Sequence, residues 1–143
     1  MTDSPDLQGQ LIALIRAFGL HRPDQTPCGQ SVTVAEAHAL MELTDKTLLS
    51  QNELAERLSL EKSTVSRLAK VLERRGWIER NRNHADRRII QLTLTKDGRR
   101  AAEQLATARR EKFDRILSSI PKAQRVDVLD SLKILVEAIY ESE

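Results

Sequence analysis

The sequence predicts a mainly α-helical domain of about six helices that carries one two-stranded β-hairpin. Three observations predict it. Apolar residues recur at helical spacing along most of the 143 residues. The spacing switches from 3.6 to 2 only between Trp77 and Leu94. Five glycines and four prolines leave too little turn material for an all-β fold. With 40% hydrophobic residues but 3% aromatics, the core must be Leu, Ile, Val and Ala. No apolar run reaches the ~18 residues of a membrane span. The acidic start Met1-Thr2-Asp3-Ser4-Pro5-Asp6 is unlike a signal peptide, and a single cysteine excludes an intrachain disulfide framework. A soluble, cytoplasmic protein is expected.

The elements follow in order. Leu7, Leu11, Leu14, Ile15 and Phe18 predict an amphipathic first helix ending before Arg22-Pro23, followed by an irregular stretch from Pro23 to Gly29. A second helix is expected over about Val34–Leu43. Ser50-Gln51-Asn52-Glu53 has capping-box form and opens a short helix through Arg57, with Leu54, Ala55 and Leu58 inward. After the turn Ser59-Leu60-Glu61, another helix runs from about Lys62 to Arg75 and stops at Gly76. Trp77–Arg80 and the alternating Ile90, Leu92 and Leu94 read as two strands, joined by a polar loop from Asn81 to Arg88. Thr95 can cap a long helix through about Ser119, which Pro121 ends. A last helix carries Val126, Leu129, Leu132, Val136, Ile139 and Tyr140.

Two helices joined by a tight turn and followed by a β-hairpin make a winged helix-turn-helix. Around the second helix, Val65, Leu68, Ala69 and Leu72 fall on one side, and Ser63, Arg67, Lys70 and Arg74 on the other, with Thr64 and Ser66 at the margin. Charge is concentrated here: residues 62–100 hold 12 Lys/Arg against 4 Asp/Glu, whereas the remainder holds 11 against 17. A local surplus of +8 beside a body of −6 suits a polyanion on one face. An α-helix fits the major groove of B-DNA, and Arg67 can donate twice to guanine O6 and N7. Ser63, Thr64 and Ser66 can reach base edges or phosphates. A solvated helix face is the ordinary alternative, but the loop argues against it. Arg82, Arg87 and Arg88 gather on a narrow projection, which suits the minor groove. Asp86 would repel phosphate, and makes sense as an acid that orients Arg88.

Leu54-Ala55-Glu56-Arg57-Leu58, Ser63-Thr64-Val65-Ser66-Arg67-Leu68, Leu72 through Arg80, and Asp86-Arg87-Arg88 through Leu94-Thr95-Lys96-Asp97-Gly98 together resemble the MarR family of bacterial winged-helix transcription regulators. The resemblance spans nearly the whole chain as one domain, 1–143. It implies a DNA-binding lobe at 32–98 and dimerisation helices at 5–22 and 99–143. It implies a homodimeric repressor with the helix at about 62–75 in the major groove and the wing at 81–88 in the minor groove. Arg88 resembles the family's minor-groove arginine, Asp86 its supporting acid, and Ser63, Thr64, Ser66 and Arg67 its major-groove and phosphate contacts. It also implies release by a small apolar or phenolic effector, with Phe18, His38, Met41 and Phe113 as candidate lining.

Other readings are weaker. Cys28 in Pro27-Cys28-Gly29 is the one residue on which a thiol response could rest, and no base is close to it in sequence. Cys28, Glu36, His38 and His21 lack the spacing of a structural zinc motif. His38, with Val34, Ala35 and Leu43, reads as a packed histidine, and His84 as an exposed wing residue. No nucleophile-and-base pair, phosphate loop or His-Glu-x-x-His occurs, so neither an enzyme nor a cofactor is expected. A winged helix used only as a protein-interaction scaffold need not keep arginines on both helix and wing.

Overall fold

The computed structural model describes residues 3–46 and 48–143. It divides into two compact units, one up to Ala108 and one from Arg109 to Glu143.

In the first unit, α1 (Ser4–Phe18) starts under Asp3, whose carboxylate accepts the Asp6 amide at 3.0 Å. It ends earlier than the Arg22 boundary that the sequence suggests. Gly19 takes a left-handed φ of 88°, and the amides of Gly19 and Leu20 both bond back to the Ile15 carbonyl, which turns the chain out of the helix. Helix α2 (Val34–Asp45) opens with a capping box in which Thr33 and Glu36 satisfy each other's amides. A two-residue strand β1 (Leu49–Ser50) leads into α3 (Gln51–Leu58). Ser50 and Glu53 form the expected reciprocal cap, at 3.0 and 3.2 Å. Ser59 closes α3 in the left-handed region, φ 54°, and releases the chain into α4 (Lys62–Arg74). Strands β2 (Ile78–Arg82) and β3 (Ile90–Leu94) form the hairpin, and α5 (Lys96–Ser118) follows.

The sheet has three antiparallel strands in the order β1-β3-β2, one more than the sequence predicts. Two residues are too few to show a period, and β1 exists because Leu49 pairs with Leu92 and Ser50 with Gln91. The strand β2 also runs further than expected. Asn81 and Arg82 pair with Gln91 and Ile90, so these two belong to the strand rather than to the wing loop. Cross-strand partners share a face, which puts Arg80 in line with Leu92 and Leu49. Its charged end reaches the edge of that face, where it lies 3.9 Å from Glu73.

The core of this lobe is aliphatic: Leu40, Leu43, Leu49, Leu54, Val65, Leu72 and Leu92 are fully enclosed. Its contributors come from α2, α3, α4, all three strands and, through Ala102 and Leu105, the first half of α5. Val65, Leu68, Ala69 and Leu72 are the buried residues of α4, the side expected from its periodicity. His38 differs from expectation. It is exposed, because Glu36, Ala37, Ala39, Leu40 and Leu43 take the buried positions of α2.

Two ties fix the end of α4. Gly76 has φ 78° and turns the chain into Trp77. Thr95 then joins that turn to α5: its amide donates to the Trp77 carbonyl at 2.9 Å, and its hydroxyl donates to the Gly76 carbonyl at 2.6 Å. The same hydroxyl oxygen accepts the Gly98 amide at 3.0 Å, capping α5 as expected. Gly98 is buried, and a Cβ there would overlap the Trp77 carbonyl. The second tie is an ion pair, with Arg75 Nε 2.7 Å from Glu36 Oε2. The Arg75 guanidinium also lies 4.8 Å over the Trp77 ring.

The second unit contains the end of α5 from Arg109, a turn of 3-10 helix (Lys122–Gln124) and α6 (Arg125–Glu141). The Arg125 guanidinium donates to the Ile120 carbonyl at 2.9 Å and anchors the turn after α5. No residue of α6 is buried.

Gly98→Ala tests the first tie. The new methyl can be accommodated only by moving backbone, so we expect a loss of about 1–3 kcal/mol. Denaturant unfolding of the variant against the parent measures it.

Candidate nucleic-acid interface

The outward side of α4 carries the residues that the sequence places there. Ser63, Arg67, Lys70 and Arg74 are exposed, and Thr64 and Ser66 are half-buried at its edges. Arg67 is held only loosely, with one guanidinium nitrogen 3.5 Å from the Thr64 hydroxyl. Its long side chain therefore keeps most of its rotamer freedom. The N-cap residue Glu61 makes no side-chain cap bond, so the first amides of α4 lack that partner at the positive end of the helix dipole. Arg75 does not belong to this surface, since Glu36 draws it back toward α2.

The wing loop is ordered by its own side chains. Asp86 Oδ1 accepts Arg88 Nε at 3.0 Å and the Arg88 backbone amide at 3.1 Å. Asp86 Oδ2 accepts an Arg88 terminal nitrogen at 3.0 Å. The contact is a two-pronged fork, the geometry that a planar guanidinium and a carboxylate make best. Meanwhile 90% of the Arg88 side chain stays exposed, against 35% for Asp86. One arginine is thus presented to solvent in a fixed pose. Asn83 Oδ1 accepts the amides of Ala85 and Asp86 at 2.8 and 3.0 Å, an Asx turn. The Arg82 guanidinium donates to the Arg87 carbonyl at 2.8 Å, spanning the base of the loop. His84, Arg87 and Arg82 are all exposed.

Sequence reasoning did not identify the part played by Asn83. Its signal was present, an Asn two and three residues before the amides that it holds. Glu36, Arg75 and Trp77 also went unrecognised as a cluster, although Thr33-Val34-Ala35-Glu36 carries the same capping signature as Ser50–Glu53.

The candidate effector residues come from three helices, with His38 exposed on α2. Phe18 ends α1, half-buried; Met41 is half-buried on α2; and Phe113 is exposed on α5. A cleft of about 120 Å³ in the first unit is lined by Leu43, Thr44, Leu94, Arg99 and Glu103. It is smaller than the ~300 Å³ of an ordinary ligand pocket. Cys28 is a half-buried free thiol in the turn where Thr26 and Gln30 bond each other. Among the described residues no group of three or more His, Cys, Asp or Glu is placed to hold a metal ion.

Comparison with known proteins agrees with this geometry. The family model described as "MarR family" matches residues 32–90. The chain is 31% identical over 114 residues to the HTH-type transcriptional repressor MdtR of Bacillus subtilis, covering 80% of this chain and 74% of MdtR. Among solved structures, Streptococcus pneumoniae FabT in complex with DNA superposes with a TM-score of 0.82 at 19% identity, covering 99% of this chain and all of FabT (100%). The Streptomyces coelicolor regulator PcaV, in complex with its natural ligand, gives 0.76 at 21% identity, covering 97% and 98% of the two chains.

The fork has a pH signature. The Arg88 side chain first, and its backbone amide second, hold the Asp86 carboxyl below the usual carboxylate range. A depressed carboxylate contributes order that is present above its ordinary pKa and lost as pH falls through the lower, folded value. The Arg88 Nε–H resonance is therefore expected to keep its hydrogen-bonded shift as pH falls through about 3.9, the free Asp value, and to lose it only below. An acid titration followed by 15N-edited NMR checks this, and a midpoint at the free value would contradict the fork.

Proposed function

This chain belongs to the MarR family of transcriptional regulators, and from that premise we propose that it is a homodimeric repressor that reads a pseudo-palindromic operator. The helix at 62–75 enters the major groove and the wing at 81–88 enters the flanking minor groove. Arg67 reads a base edge. Ser63, Thr64, Ser66, Lys70 and Arg74 contact bases or phosphates around it, with Arg82 and Arg87 on phosphates beside the wing. Arg88 enters the minor groove with Asp86 holding its fork. The observation that carries this reading is the Asp86–Arg88 fork on an exposed loop beside a basic helix face. An exposed arginine held in one pose suits a narrow groove of negative potential. A DNA partner makes the protein cytoplasmic.

The homodimer rests on separate support. Neither α1 nor α6 has a buried residue. Leu7, Leu14 and Ile15 stand 41–53% exposed on α1, and Val126, Leu129, Ile134 and Val136 stand 51–67% exposed on α6. Apolar surface of this extent on helices calls for a partner surface, and a second copy supplies one. The resemblance to MdtR, named a repressor, supports the direction of regulation. PcaV's structure with its natural ligand supports the binding of an effector, for which we propose a small apolar or phenolic molecule that releases the DNA. That ligand would act by changing the separation of the two recognition helices, which spoils both half-sites together.

The DNA reading is tested on a duplex that the parent protein selects from a random-sequence pool. Arg67→Ala should cost ~1–3 kcal/mol and relax preference at one position per half-site. Lys70→Ala should weaken all sequences alike and flatten the salt slope. Arg88→Ala should weaken binding markedly while Arg88→Lys restores little, because an ammonium lacks the fork. Asp86→Ala separates two ideas by sign. Removing an acid from a DNA-facing loop strengthens binding if only charge counts, and weakens it if Asp86 orients Arg88. We expect weakening, and tighter binding would reduce the wing to a plain cationic tip.

Assembly is tested by deletion from Ala123 onward. The truncated chain should aggregate or unfold, since the surface that α6 covers in the dimer is left open. A well-behaved truncated monomer in sedimentation, with duplex affinity intact, would reject the dimer.

A further inference from the structure

We propose that Asn83 is a positioning residue for DNA binding: it sets the pose of Arg88 without touching DNA itself. The inference rests on the wing reading given above and extends it by one residue. Its basis is a chain of hydrogen bonds running in one direction around the loop.

Asn83 Oδ1 holds the amides of Ala85 and Asp86. That pair of bonds fixes the backbone at Asp86, and so fixes where the Asp86 carboxylate begins. The carboxylate in turn holds the amide and both prongs of Arg88. Two backbone bonds close the loop around this core, from the Asn83 amide to the Ile89 carbonyl and from the Ile89 amide to the Asp86 carbonyl. Asn83 itself is half-buried, whereas Arg88 and its neighbours Arg87 and Ile89 are exposed. The loop has no enclosed apolar side chain to shape it. Its internal order comes from these polar ties and from the Arg82–Arg87 bond across its base, and the first tie in the chain that leads to Arg88 is at Asn83. Without it, the Asp86–Arg88 fork can persist, but the backbone beneath it samples other directions. The arginine then reaches the groove only by freezing that motion on binding, which lowers affinity.

The hydrogen bonds to Asn83 need an acceptor oxygen at that position and nothing else. Aspartate supplies one and alanine does not. Charge counting ranks the same two variants the opposite way, because Asn83→Asp adds a negative charge near phosphate. Titration of the full-length dimer against the duplex selected by the parent protein distinguishes them. Asn83→Ala is expected to bind about fivefold more weakly than the parent, the scale of one or two lost ordering hydrogen bonds. Asn83→Asp is expected to bind more tightly than Asn83→Ala despite its charge. The decisive measurement is the double variant: Asn83→Ala should add little to the loss already caused by Arg88→Ala, since Asn83 works through Arg88. A merely structural role would weaken both backgrounds equally. Thermal unfolding of each variant, unchanged from the parent, shows that the fold is intact.

Multiplying losses in the double variant would overturn the inference, as would Asn83→Ala binding at full strength or Asn83→Asp binding more weakly than Asn83→Ala. If Arg88→Ala itself binds at full strength, the wing reading fails and takes this inference with it. Weak binding by Arg88→Ala together with full binding by Asn83→Ala overturns the inference alone.

Discussion

The Trp77 carbonyl lies so close to the first turn of α5 that position 98 admits no side chain. Much of the DNA-binding lobe is arranged around that approach. Thr95 bonds to the carbonyls of both Gly76 and Trp77, so the end of the recognition helix and the root of the wing are fastened to the same residue. That residue also caps α5. Helix α4 and the wing, the two elements proposed to meet DNA, therefore cannot be displaced separately from the head of α5. Hydrogen bonds to backbone, together with a contact too tight for a methyl, make this joint stiff rather than compliant.

Trp77 has a second partner, which restrains the recognition helix from the other side. Arg75 lies over its ring and pairs with Glu36, whose other oxygen completes the cap of α2 at 3.1 Å. The Glu36 side chain is 5% exposed and that of Arg75 38% exposed, which makes the pair unequal. Arg75 can turn to water if Glu36 is lost, whereas Glu36 without Arg75 is a carboxylate left among apolar neighbours. The arrangement is better understood as register than as stability. It selects one orientation of α4 against α2, since a rotated helix would strand the acid. The serial basic residues Arg74 and Arg75 thus divide, one facing outward and one tying the helix down.

The parts of this structure that were legible in the sequence are those whose partners are near in sequence. Ser50 and Glu53, Thr95 and Gly98, and Asp86 and Arg88 lie within three positions of each other, and residue type with spacing defines their geometry. The buried stripe of α4 was legible for the same reason, because a helix imposes its own period. Other features were not. Strand β1 has two residues and no period of its own; β3 creates it. Arg82 reads as a loop residue because a strand with alternating charged and polar residues looks like a loop. Glu36 finds Arg75 only through the packing of α2 against α4, which no local pattern encodes. The exposure of His38 has the same origin: five neighbouring residues of α2 had better claims to the core. The Gly98 motif letter was visible, but its reason lies in a carbonyl from another element.

Arg88 and Arg67 are prepared to different degrees, and the difference suits what each would read under the proposed function. Arg88 is held by a carboxylate at three points before any duplex arrives. Its conformational entropy is largely spent in folding, so little remains to be lost on binding. Groove width and potential vary smoothly with sequence, and a rigid cation measures such a quantity well, because it cannot adapt to the wrong width. Arg67 has only a 3.5 Å contact to Thr64. Base edges present discrete donors and acceptors, and a side chain that must find two of them at a correct angle benefits from freedom to search. Stiffness at the wing and mobility at the helix follow from local chemistry, an Asp two residues away in one case and a Thr hydroxyl in the other. Under the proposed function the same lobe would hold a fixed gauge for shape and an adjustable one for sequence, both fastened through Gly76 and Trp77 to the head of α5.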